Sequence, residues 1–332
     1  MSTQRRSHYD VTDQVCIAQP QAVCGEVECL LTRGYPEIDR AALRAAFSVF
    51  GQLYAGTLPG YVGCDTTYHD AQHSLDCALA TARLLDGHAR ASSADQRLAS
   101  RRAVLGCIIA LFHDAGYVRR NSDSGSNGAV YTLTHVRRSG EFLAQLLPQI
   151  GYSAEAELAA EIVHFTGYEI PLSEIPVDAP KDRQLAFLIA SADLLSQLSD
   201  ACYPEKCRDF LFPEFECCGL AGPAQPGGPV PLYIDRMDLL NGTPAFYKKL
   251  RRDRLDGYFD NAHRYLDAHF QCAAGVRNPY DAYIAHNLER IDKAIALQSL
   301  DVLTLKPEAI DAAALRDVLD GCPGKFGLDR AG

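Results

Sequence analysis

Two short stretches of this chain carry residue types and spacings suited to metal chemistry: Tyr68-His69-Asp70-Ala71-Gln72-His73 and Leu111-Phe112-His113-Asp114-Ala115-Gly116-Tyr117. On a helix, His69 and His73 stand at i and i+4, so both imidazoles leave one face a turn apart. In the second stretch an imidazole and a carboxylate sit side by side at the end of the apolar run 103–112. A third polar intrusion, Asp193, interrupts the apolar run 185–195. A carboxylate among apolar neighbours is expensive unless it is paired or holds a metal. Mixed nitrogen and oxygen donors suit a divalent first-row ion better than calcium, which prefers oxygen alone. Taken singly, His73 or His113 reads as a hydrogen-bonded core histidine. The ordered set, not either residue, points to ligands.

That set, His73, His113-Asp114 and Asp193, resembles the HD superfamily of metal-dependent phosphohydrolases over roughly residues 40–300. More narrowly, Tyr68-His69-Asp70-x-x-His73 is similar to the Tyr-His-Asn-x-x-His signature of class I cyclic-nucleotide phosphodiesterases. The resemblance implies an all-α, HD-domain, phosphodiesterase-like helical bundle around a buried binuclear site holding two divalent metal ions (Fe, Mn, Zn or Mg). By matching position, His73, His113, Asp114 and Asp193 would bind the first ion, Asp114 would bridge to the second, and His69 would protonate the leaving oxygen. His135 and His164 resemble the extra histidines of the binuclear branch, which includes the HD-GYP cyclic-di-GMP phosphodiesterases, and would hold the second ion. The segment His164-Phe165-Thr166-Gly167-Tyr168-Glu169-Ile170-Pro171 echoes a contracted Gly-Tyr-Pro region. It lacks that family's His-His-Glu triplet, and Tyr117 stands where a lysine usually follows. Asp70 replaces the phosphodiesterase asparagine, and Val118 and Arg119 fall where a second histidine is expected.

The chemistry implied is hydrolysis of a small nucleotide's phosphoester, foremost a cyclic-nucleotide phosphodiester. Two ions roughly 3.5–4 Å apart can hold a hydroxide for in-line attack and neutralise the phosphoryl group. A positioned histidine acid such as His69 contributes ~10²–10⁴-fold. Gln197, one turn beyond Asp193, could read a purine edge, and Tyr117 and Arg119 could bind phosphate. Rival readings are an HD phosphohydrolase acting on a mono- or polyphosphate or on cyclic-di-GMP, a di-iron oxygenase of the HD type, and a nucleotide-binding sensor without turnover.

Positioning these residues falls to helices. Apolar spacing predicts helices over 38–54, from His69 to about residue 87, up to the His113 corner, 131–150, 153–165, around Asp193, 243–270 and 280–300. Polar and glycine-rich segments separate them at 56–63, 91–95 and 121–128, and the insert 219–232 reads as loop. Residues 1–36 read as an N-terminal arm with a short helix near 21–31, residues 37–300 as the catalytic domain, and 301–332 as an extension with a helix at 309–319. The 332 residues are ample for a large core, with 47% hydrophobic and 22% charged. A net charge of −10 excludes gathering long nucleic acid by counterion release. No apolar run of 18 residues or signal core appears, so no membrane span or secretion is expected. Twelve scattered cysteines without a Cys-x-x-Cys pair read as reduced thiols and point to the cytoplasm. A homodimer is compatible with all of this.

Overall fold

The computed structural model describes residues 5–224 and 230–321; the centre of the insert and the last part of the extension lie outside them. The architecture is helical, 64% helix against 3% strand. In chain order the helices are α1 (Pro20–Gly34), α2 (Arg40–Ala55), α3 (Ala71–Ala91), α4 (Ser100–Phe112), α5 (His135–Leu146), α6 (Ala156–Ile162) and α7 (Pro180–Leu198). They continue with α8 (Tyr203–Lys206), α9 (Phe212–Cys217), α10 (Arg236–Leu250), α11 (Tyr265–His269), α12 (Pro279–Leu297) and α13 (Ala312–Asp320). A two-stranded antiparallel ribbon, β1 (Tyr61–Gly63) with β2 (Arg119–Arg120), closes one end.

Helix α3 is the axis. It packs against α1, α4, α7 and α11 and is buried on nearly every side, as expected of a helix in the middle of a bundle rather than on its surface. Two of its buried charges are paired: Arg83 with Asp10, and Asp86 with both Arg90 (2.7 Å) and His269 (2.7 Å). The start of α3 differs from the expected one. Asp70 is extended and accepts the His73 amide at 3.1 Å, so the helix begins at Ala71 and His69 precedes it. A short acceptor side chain at this position satisfies an otherwise orphaned helical N–H. His69 and His73 approach through a capped turn, not along a helix face.

Other boundaries shift for equally local reasons. The stretch expected as one helix over 243–270 breaks: α10 widens into a π-helical turn over Arg251–Tyr258, then reverses through Asp260 and Asn261, both left-handed, before α11. In the basic run on this stretch, Arg252 pairs with Asp253, Arg251 with Asp256 and Asp281, while Arg254 turns inward to stack on Tyr168. The segment read as an arm is part of the core. Val11, Ile17, Val23, Val27 and Leu31 are buried, and α1 lies along α3. At the other end α13 packs on α2. The described cysteines are unpaired thiols, and no single described helix is long and apolar enough to cross a membrane.

Asp10 ties the amino-terminal segment to the axis. Besides Arg83, its carboxylate accepts the amides of Thr12, Gln14 and Val15. Burial raises its pKa, but Arg83 and these donors prevail and lower it to about 2. A carboxyl depressed on folding stabilises the fold above its unfolded pKa, and that contribution is lost as pH falls through about 2. Asp10→Asn leaves Arg83 buried without its counter-charge and should lower the unfolding free energy at pH 7 by about 3–5 kcal/mol, read by urea denaturation. Its stability should also lose the acid dependence that the wild type shows in this window.

Candidate metal centre

Four donor atoms meet where α3, α4 and α7 converge. His113 closes α4 as its C-cap, and its Nδ1 lies 2.8 Å from the Ala110 carbonyl oxygen. A carbonyl only accepts, so Nδ1 carries the proton and Nε2 is the nitrogen that faces inward. That Nε2 is 3.3 Å from His73 Nε2, 3.3 Å from Asp114 Oδ2 and 3.4 Å from Asp193 Oδ1. His73 Nε2 is in turn 3.2 Å from Asp193 Oδ1 and 3.6 Å from Asp114 Oδ2. All four residues are buried, and Asp114 Oδ2 has no hydrogen-bond donor among the described residues. A buried carboxylate oxygen without a donor is strongly disfavoured. This donor set, two imidazoles and two carboxylates, could hold a divalent first-row ion, and the orphaned oxygen is the local reason to expect one. Cys77 Sγ also lies close to His113 and Asp193.

The other oxygen of Asp114 faces a different histidine. Asp114 Oδ1 is 3.5 Å from His135 Nε2, and His135 Nδ1 is tied to the Thr132 carbonyl at 2.7 Å. One carboxylate thus presents an oxygen to each of two imidazole groups, as a bridging ligand requires. Gly116 makes this possible: a Cβ there would stand 1.9 Å from the His135 carbonyl oxygen. Its amide donates to Ser139 Oγ (2.8 Å), and its carbonyl accepts from Arg138 Nε (2.7 Å), so the turn after His113-Asp114 is docked on α5. Glu169, also missed in the sequence, accepts the Val136 and Arg137 amides at 2.7 and 3.1 Å and stands 4.0 Å from His135.

His164 does not join this group. It sits in a 3-10 turn (Val163–Thr166) whose neighbours Val163 and Phe165 take the buried directions, and it does not line the cavity beside the cluster. The charges it senses are Glu169 and Glu161. Asp114 Oδ1 and His135 are the pair that the described residues bring together at a second position, while His164 Nδ1 is buried without a partner among them. The expected role of Arg119 is corrected. Its guanidinium grips Asp65 at 2.8 and 2.7 Å and the Gly125 carbonyl at 2.9 Å, outside the cavity. Asp70 is buried and committed to the His73 and Ile310 amides (3.1 and 2.8 Å), so it is neither solvated nor an orienter of His69.

His69 has a partner that the sequence did not reveal. Glu214, from α9, accepts the amides of Thr67 and Tyr68, both at 2.6 Å, and holds His69 Nδ1 at 2.6 Å. This leaves His69 Nε2 directed away from the carboxylate. The ring stacks on Tyr117 at 4.3 Å, and Tyr117 stacks on His135 at 4.3 Å, so Tyr117 serves as the spacer between the two histidines. Electrostatics follow this geometry. Burial disfavours the charged forms, yet Asp114 holds His113 well above the ordinary imidazole range, and His113 holds Asp114 well below the ordinary carboxyl range. Asp193 is depressed by His113 and His73, despite burial acting the other way. Burial likewise pulls His69 down, but Glu214 outweighs it and the net shift is upward. His135 is lowered: burial, joined by the nearby charge of His69, outweighs Asp114 and Glu169.

The cluster forms the polar end of a cavity of about 420 Å³. Gln197 lines it, its Oε1 accepting from the Tyr68 hydroxyl at 3.2 Å. Beyond Gln197 the walls are apolar, with Leu198, Phe215, Leu239, Phe246 and Leu250 among them. Leu220, Leu232 and Tyr233, at the edges of the 219–232 insert, reach this wall. No described arginine or lysine lines the cavity. No protein-family model, curated protein or solved structure matches the chain.

Glu214→Gln removes the charge that raises His69. A raised imidazole pKa means the protonated form is favoured in the folded protein and is lost as pH climbs through that higher value. In the variant the His69 titration followed by NMR should therefore move to lower pH; an unmoved titration would show that Glu214 does not govern His69.

Proposed function

We propose that this chain is a metal-dependent phosphohydrolase of the HD type, with a nucleotide phosphoester as substrate and a cyclic-nucleotide phosphodiester as the best fit to the cavity. The observation that carries the reading is the shared carboxylate. The two oxygens of Asp114 face two imidazole groups whose outer nitrogens are already committed to backbone carbonyls. His73, His113, Asp114 and Asp193 would hold one divalent ion, and Asp114 with His135 a second. Such ions supply Lewis-acid polarisation of a phosphoryl oxygen and acidify water.

The chain's own groups do the rest. His69 sits beside the cluster, one face on Tyr117, with Glu214 sustaining its protonated form. It donates its proton to the departing ribose oxygen, a poor leaving group without one. Glu214 fixes the tautomer that leaves Nε2 as the donor, as a carboxylate does for a paired imidazole elsewhere. Gln197 offers an amide to a base edge, and the apolar wall beyond it receives the ring. A cavity lined by no described arginine or lysine suits a singly charged diester better than a polyphosphate, whose several charges would face apolar walls. A positioned acid in contact with the cavity also favours hydrolysis over oxygenase chemistry.

Asp114→Ala should reduce both bound metal, by elemental analysis of the purified protein, and hydrolysis of a cyclic-nucleotide panel to background. Full turnover in that variant after metal depletion would sink the proposal. His69→Ala should retain metal content while kcat falls by about 10²–10⁴-fold. Equal loss of metal and rate would make His69 a ligand instead. In the wild type, turnover should decline on the alkaline side as His69 loses its proton, and Glu214→Gln should move that limb to lower pH.

A further inference from the structure

We propose that a second cleft, sharing no lining residue with the metal-centre cavity, binds the phosphate group of a small phosphorylated molecule. It has a volume of about 570 Å³ and lies between Arg5, α12 and residues 302–305, with Arg5, Tyr283, His286, Arg290 and Lys293 on its walls. A chain with net charge −10 here gathers three permanent cations and a histidine, and no carboxylate side chain lines the space.

Arg5 is the anchor. It is only 6% exposed, Nη2 donates to the Ser199 carbonyl at 2.9 Å, and the guanidinium lies 4.2 Å over the Tyr283 ring. Its Nε and Nη1 are buried with no hydrogen-bond partner among the described residues. Asp76 and Asp200 feel its charge, yet neither comes within ion-pair distance among the described residues. An anion in the cleft stabilises this buried guanidinium by its charge, and its oxygens accept from the unmet donors as the side chain turns toward it, phosphate doing so with full charge assistance. Lys293 is exposed and forms no ion pair among the described residues, so its charge is free to act on the cleft. Arg290 differs: Glu205, fully buried, neutralises it and holds its guanidinium at the wall. Ala201, Ala282, Val302 and Leu305 supply apolar surface for the body of the ligand. The volume lies within the range of pockets for small molecules and cofactors.

The test is titration of the purified full-length protein with inorganic pyrophosphate, by calorimetry and by hydrogen–deuterium exchange. Saturable binding is expected, with protection in peptides spanning residues 5–18 and 279–297. It should persist in Asp114→Ala, which separates this cleft from the metal centre and leaves the result independent of the proposed activity. Arg5→Gln should weaken affinity about tenfold or more, the worth of one charged hydrogen bond. Because Arg5 is buried and its loss can disturb folding, Lys293→Gln and Lys293→Glu provide the surface test. Both should weaken binding, the charge reversal more, with thermal unfolding unchanged. The proposal is overturned by absence of saturable binding, by equal affinity for sulfate, by affinity unchanged in both Lys293 variants, or by binding that disappears in Asp114→Ala.

Discussion

The carboxylate of Asp114 is the constraint on which the rest of the structure depends. It is buried at the junction of two imidazole groups, one of its oxygens has no donor, and its charge is balanced only by neighbours that must be held in place. In a medium of low effective dielectric, small displacements of those neighbours change the energy steeply. The surrounding architecture reads as the means of preventing such displacements. Backbone carbonyls fix the outer nitrogens of His113 and His135, and α3, buried nearly all round, fixes His73.

Close backbone packing performs the same task at the next level. The turn through Gly116 lies so near the His135 carbonyl that no side chain fits between them, and Arg138 and Ser139 lock it from the α5 side. Glu169 then satisfies the first amides of α5 from a distant loop, stabilising the helix end that bears His135. The spacing between His113 and His135 is thus set by contacts within hydrogen-bonding distance, without a long lever in between.

Much of this was legible in the sequence, and the limits are physical. His113, Asp114 and Asp193 were readable because each puts a charge or an imidazole in or at the end of an apolar run, a local and costly anomaly, and His73 by its four-residue spacing from His69. The helical class followed from periodicity. Glu214 was not readable: its partners lie near residue 68, and nothing around Phe212-Pro213-Glu214-Phe215 marks a carboxylate that will accept two remote amides and an imidazole. Arg119 misled for the converse reason. Residue type and order qualified it, but its side-chain direction is decided by a nearer partner, Asp65. The early start assigned to α3 overlooked Asp70 as a cap. The amino-terminal segment looked like an arm because its anchor, Asp10, pairs with an arginine 73 positions away.

That same cap has a temporal corollary. One oxygen of Asp70 serves the first turn of α3, and the other is met only by the amide of Ile310, 240 residues later. A ribosome delivers those two partners far apart in time. While the chain is still growing, the helix that carries His73 has half of its capping carboxylate facing solvent or nothing. The turn that carries His73 therefore gains its full set of capping contacts only after translation has passed residue 310.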